Sequence, residues 1–139
     1  MAKMKITGFS DMLKAFDSLA EITKASIKAV DQAAPVLEKS LKNQISAKAD
    51  KGYGKGELAR SVIARKAKEN EYGVYTVIGP VGTDSKGVSN AKKLALLEYG
   101  VSEKHQEPRP VRQPAVDSAR KQCEELMEKA IEDFVDKNW

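Results

Sequence analysis

The sequence predicts an α+β fold: a small antiparallel sheet built around a β-hairpin, packed against a long N-terminal helical segment and a C-terminal helix. Three observations predict it. Apolar residues recur at helical spacing from Met12 to Ile45, the texture changes to short β-branched and aromatic runs over 61–78, and helical spacing returns after Pro114. The 139 residues, 41% hydrophobic and 32% charged, are expected to form one domain, 1–139. A chain of this size can bury a core without metal or disulfide.

The first helical segment is expected over about 10–49. Ser10 is its candidate cap, and Asp11 lies where the helix dipole favours an acid. Met12, Leu13, Phe16, Leu19 and Ala20 form one apolar face, and Ile27, Val30, Ala34, Leu37, Leu41 and Ile45 continue as a long stripe. Pro35 lies inside that stripe and removes a backbone donor, so a kink or break is expected there. Asp50–Gly56, with three glycines, reads as a flexible loop. A hairpin is expected over about 58–79, with strands around Ser61–Arg65 and Val74–Ile78 and a polar turn near Glu69–Gly73. A second mobile loop is expected over Gly79–Asn90, since its glycines and charges supply few apolar anchors. A short helix follows over about 92–99, stopped by Gly100. The last helix, about 112–136, takes Pro114 in its first turn. It is expected to bury Ala115, Ala119, Cys123, Leu126, Ala130 and Phe134, helped by Met127 and Ile131.

The residue types that carry chemistry are scarce. The one histidine, His105, sits in a polar loop and reads as a solvated surface residue. The one cysteine, Cys123, lies in an apolar stripe and reads as a small core residue, so no intrachain disulfide is expected. No cluster has metal-ligand spacing, and the glycines of the 52–56 loop lack the Lys-Ser/Thr ending of a phosphate loop. Glu124-Glu125 and Glu132-Asp133 read as solubilising charges on the outward side of the last helix. No catalytic, cofactor or metal residues are assigned, and an enzyme is not expected. No apolar run approaches the roughly 20 residues of a membrane span, and the opening residues do not read as a signal peptide. The cytoplasm of the producing cell is the expected compartment.

The net charge of +4 is unevenly spread. Seven basic residues between Lys48 and Lys68 stand against Asp50 and Glu57, whereas seven acids between Asp117 and Lys137 stand against four bases. Such a division suits subunits that meet one patch against the other, though charge runs are also ordinary solvated surface. The basic 48–68 segment, with Tyr53 inside it and Tyr72 nearby, leaves a nucleic-acid-binding module as the alternative function. Sparse aromatics and a low net charge weigh against it.

Three segments together resemble the tail-completion or head–tail joining family of tailed phages, in order and spacing over essentially the whole chain. The first is the opening ITGFSDMLKAFDSLAE. The second is Gly56-Glu57-Leu58-Ala59-Arg60-Ser61-Val62, similar to the family's Gly-x-Leu-x-x-Ser-(Ile/Val) entry into its first strand. The third and most specific is Leu97-Glu98-Tyr99-Gly100 followed by Pro108-Arg109-Pro110-Val111-Arg112-Gln113-Pro114-Ala115-Val116. Val101 and Val111 depart from the family's usual Thr and aromatic. The resemblance implies a structural virion protein that forms a homo-oligomeric ring, usually sixfold, at the phage neck. Its partners there would be head-connector and tail-tube proteins, with at most weak non-specific contact with DNA in the channel and no membrane. Assembly in the host cytoplasm is implied. Candidate interface residues are Arg109, Arg112, Glu98, Tyr99, Lys51 and Lys55. Prolines 108, 110 and 114 stiffen the chain around the two arginines, and Arg109 or Arg112 is expected to meet an acid within or between subunits. Glu124, Glu128 and Glu132 are candidate partners.

Overall fold

The computed structural model describes residues 9–49 and 56–138, with side chains over 20–49 and 56–137. The expected cap Ser10, the apolar residues 12–19 and most of the 50–56 loop therefore lie outside the described side chains. Helix α1, Phe9–Lys48, is 40 residues long, about 60 Å at 1.5 Å per residue. It runs through Pro35 without the break the sequence suggested. Pro35 is exposed while Ala33 and Ala34 beside it are buried, so packing holds the helix across the missing hydrogen bond.

The hairpin begins later than expected, because Glu57–Arg60 forms a single helical turn, α2. Leu58 enters the core from it, and Val62, four residues on, from the strand that follows. Strand β1 (Val62–Ala64) pairs antiparallel with β4 (Ile78–Pro80), and β2 (Lys68–Asn70) with β3 (Gly73–Tyr75), around a turn at Glu71–Tyr72. Asn70 Oδ1 accepts from the Tyr72 amide at 2.8 Å within that turn.

The two ladders are parts of one hairpin, offset by a residue. The Arg65 amide still bonds the Val77 carbonyl in the first register, at 3.0 Å. Residues 65–67 then face only 76–77 before Lys68 pairs with Tyr75, which is a β-bulge. Arg65 and Lys66 are consequently both exposed, where strict alternation would turn one inward. Along the return strand the alternation is clean. Val74, Thr76 and Ile78 are half-buried, and Gly73, Tyr75 and Val77 are exposed.

Helix α3, Asn90–Tyr99, is capped by the Ser89 side chain, which accepts from the Lys92 amide. A 3-10 turn at Ser102–Lys104 leads to α4, Arg112–Asn138. The core gathers Leu41, Ile45, Leu58, Ala59, Val62, Leu94, Leu97, Val111 and Ala115 where the C-terminal part of α1 meets α2, β1, α3 and the start of α4.

Away from this core, α4 runs antiparallel to α1. Ser40 Oγ donates to the Ala115 carbonyl at 2.8 Å, and Cys123 Sγ to the Ala33 carbonyl at 3.6 Å. Ala25, Ala29 and Ala33 form a buried row of small side chains, one helical turn apart, that lets the two helices approach. The sequence stripe missed this row, favouring larger residues. Ala20 is exposed, and Leu126, Ala130 and Phe134 are half-buried rather than buried, because two helices alone cannot enclose their shared face. The hairpin takes the other side of α1, where the Asp31 carboxylate accepts from the Ala67 amide at 2.8 Å. At 100° per residue, the Ala25–Ala33 row and Asp31 point to roughly opposite sides.

Candidate interaction surface

The segment with the most specific resemblance is a joint between three helices. Glu98, near the end of α3, places Oε2 2.8 Å from the Val111 amide and 3.2 Å from that of Arg112. Its carboxylate thus satisfies donors at the start of α4, where the helix dipole also favours negative charge. The Leu97 carbonyl accepts from the Arg109 amide at 2.8 Å, and Val101 and Gln106 exchange two backbone bonds of 2.9 Å. Gly100, at φ 79°, permits this turn, because a Cβ there would lie 2.6 Å from the Gln106 oxygen and 2.8 Å from the Pro108 nitrogen.

Arg109 donates through its guanidinium to the Lys48 carbonyl at 2.9 Å, placing a cation at the C-terminal end of α1. Lys48 Nζ donates in return to the Pro110 carbonyl. Val111 is fully buried in the core, so the position where the resemblance expects an aromatic is a packing position. Arg112 is exposed and its guanidinium lies 3.4 Å from the Tyr99 hydroxyl. Glu98 and Arg109 are thus engaged within the subunit, whereas Tyr99, 68% exposed, and Arg112 face outward. Lys51 and Lys55 lie outside the described residues.

The loop expected at 79–90, read as having few apolar anchors, carries polar contacts instead. Residues 78–80 are strand, and the rest wraps a half-enclosed ion pair in which Lys93 Nζ meets Asp84 Oδ2 at 2.9 Å. Asp84 Oδ1 also accepts from the amides of Lys86 and Val88, at 2.8 and 2.9 Å. Glu57 accepts from the Ser85 amide and hydroxyl at 3.1 and 3.0 Å, and Asn90 Nδ2 donates to the Val81 carbonyl at 2.9 Å. The Lys93 hydrogen bond, then the Val88 amide, holds the Asp84 carboxyl below its ordinary pKa. The Ser85 amide, then its hydroxyl, does the same for Glu57. The signal in the sequence was Asp84-Ser85-Lys86-Gly87, an Asp whose side chain closes its own turn, with Gly87 at φ 80°. Anchors here are polar, and a search for apolar ones passes over them.

His105 is exposed at φ 53°, ending the 3-10 turn. Cys123 is half-buried, and burial pushes its thiol pKa up, which favours the unreactive protonated form. Among the described residues no group of three or more His, Cys, Asp or Glu side chains could hold a metal ion, and no helix is long and apolar enough to cross a membrane.

Two outward faces remain. On the hairpin, Ile63, Tyr75 and Val77 are 41, 42 and 50% exposed, with Arg65, Lys66 and Lys68 around them. On the distal half of α4, Ile131 and Val135 are exposed beside the acidic row Glu124, Glu128, Glu132. No protein-family model matches this chain, and neither does any curated protein or solved structure.

Proposed function

We propose that this chain is a structural virion subunit of a tailed phage, a head–tail joining or tail-completion protein. It forms a ring, sixfold by the family's habit, between the portal–connector complex and the tail. One observation carries the reading. A chance match of degenerate motifs gives no reason for matched residues to meet in space, yet those of the second and third segments do. Leu97–Gly100 and Pro108–Val116 form the joint, and Leu58 and Val62 of the second motif share the core with Leu97, Val111 and Ala115. The outward hairpin and α4 faces are further support, since exposed apolar side chains lie beside Arg65, Lys66 and Lys68 on the first and beside the acidic row on the second.

The test is to locate the chain by cryo-EM in the neck of the intact particle. Density for a ring of these subunits between connector and tail is the expected result, and absence of the chain from purified virions refutes it. A nucleic-acid-binding function is the second reading, favoured by Arg65, Lys66 and Lys68 close to exposed Tyr72 and Tyr75. It predicts tight, steeply salt-dependent binding of DNA by the monomer.

A further inference from the structure

We infer that the outer face of the hairpin in one copy receives the distal acidic face of α4 from the next copy, giving a head-to-tail contact. This rests on the ring reading and names its interface. Both faces are exposed and fully described, and their chemistry is opposite. The hairpin offers Ile63, Tyr75 and Val77 with Arg65, Lys66 and Lys68 beside them; of its two acids, Glu69 is paired with half-buried Val74 and so belongs to the other side of the ribbon, and Glu71 lies in the turn. The three cations make no side-chain hydrogen bond or ion pair among the described residues.

From Glu124 to Asp136, α4 carries six acids against the single base Lys129. Glu124, Glu128 and Glu132 lie one turn apart in a row. The row Met127, Ile131, Val135 runs alongside it, three residues on in each case. Apolar side chains bordered by charge of one sign on one face thus meet their counterpart of opposite sign on the other.

A single subunit cannot bring the two faces together. The hairpin packs on the side of α1 marked by Asp31 and Ala67, and α4 on the side of the Ala25–Ala33 row. These sides are roughly opposite, and α1 runs unbroken between them. Contact between two different patches of identical chains is heterologous, so it propagates and closes into a ring when the rotation allows. The bulge contributes directly, because it leaves Arg65 and Lys66 both exposed next to the outward residues.

The experiment follows self-association of the full chain by sedimentation and mass photometry across protein and salt concentration. Three proteins are compared with the parent: Arg65→Glu/Lys68→Glu, Glu124→Lys/Glu128→Lys, and the combination of all four. Circular dichroism checks that each remains folded, which exposed positions allow. Each double variant is expected to weaken association about tenfold or more, and the combined variant to recover most of that loss. Added salt should weaken the parent's association.

A parent that associates, but is indifferent to both charge reversals, overturns this interface and leaves the ring reading standing. A parent that stays monomeric throughout overturns the interface. If the chain is also absent from the neck of the particle, the ring reading falls with it. Loss of DNA binding in Arg65→Glu/Lys68→Glu, with self-association unchanged, assigns the hairpin face to nucleic acid and likewise overturns the proposal.

Discussion

Replacing Gly100 by alanine tests whether the joint holds the fold together. Gly100 sits at φ 79° and ψ 176°, a region almost reserved for glycine, and occupying it with a side chain costs about 1–3 kcal/mol. The new Cβ would also sit 2.6 Å from the Gln106 oxygen and 2.8 Å from the Pro108 nitrogen, both backbone atoms. The chain at 106–108 must therefore shift. It carries the Val101–Gln106 pair and the approach to the Arg109–Leu97 bond, and each hydrogen bond lost adds about 0.5–1.5 kcal/mol. The sum is about 2–5 kcal/mol. At about 3 °C per kcal/mol for a chain of this size, the melting temperature should fall by roughly 6–15 °C. Thermal denaturation followed by circular dichroism reads this directly. A fall of less than about 2 °C would show that the joint yields freely, and the reasoning about its geometry would be wrong.

Other outcomes follow from the same contacts. Glu98→Gln keeps an acceptor but removes the charge from the start of α4, and should lower stability by about 0.5–2 kcal/mol in chemical denaturation. Leu41→Ala, at a buried position, should cost about 2–5 kcal/mol, and Leu126→Ala, half-buried, distinctly less; equal costs would contradict the burial pattern. Arg109→Ala should lower thermal stability through loss of the α1 cap, and wild-type melting of this variant would refute a capping role. Acid should weaken the fold through Asp84 and Glu57, whose folded pKa values both lie below their ordinary ones. The unfolded chain then takes up protons first, so this stabilisation is complete above the ordinary carboxylate range and is lost as pH falls through the lowered folded values. The Asp84→Asn/Glu57→Gln variant should be less stable than the parent at pH 7 and lose less on acidification below about pH 5; parallel pH profiles would refute the assignment.

The long helices and the hairpin were legible because periodicity and β-branched texture are strong local signals. What escaped the sequence was mostly a matter of who lies next to whom. Ala25, Ala29 and Ala33 carry little hydrophobic weight, so a search for large apolar residues chose Ile27 and Val30 over the row that meets α4. Asp84 and Lys93 are nine residues apart and look like surface charges until the loop closes around them. Pro35 signals a break by local rules, and packing on both flanks of α1 overrides it. Within the candidate surface, the Leu97–Gly100 and Pro108–Val116 segments were found by resemblance. Their roles depend on the meeting of α1, α3 and α4, as when Glu98 caps a helix that starts fourteen residues later. The basic patch that includes Arg65, Lys66 and Lys68 was legible as the counterpart of the acidic last helix, whereas the exposed Ile63, Tyr75 and Val77 beside it were not, because hairpin register and the bulge decide which residues point away.

That bulge makes Lys66 an excisable residue. If Lys66 alone were deleted, Ala67 would fall opposite Thr76 and the following lysine opposite Tyr75, joining both ladders in one uninterrupted register. Every remaining side chain of the hairpin would keep its present inward or outward direction. Most single-residue deletions in a strand invert everything beyond them; this one would straighten the ribbon and reduce its local twist. Insertions and deletions at 65–67 are therefore the edits by which related hairpins can differ in length, charge and curvature without repacking the core beneath.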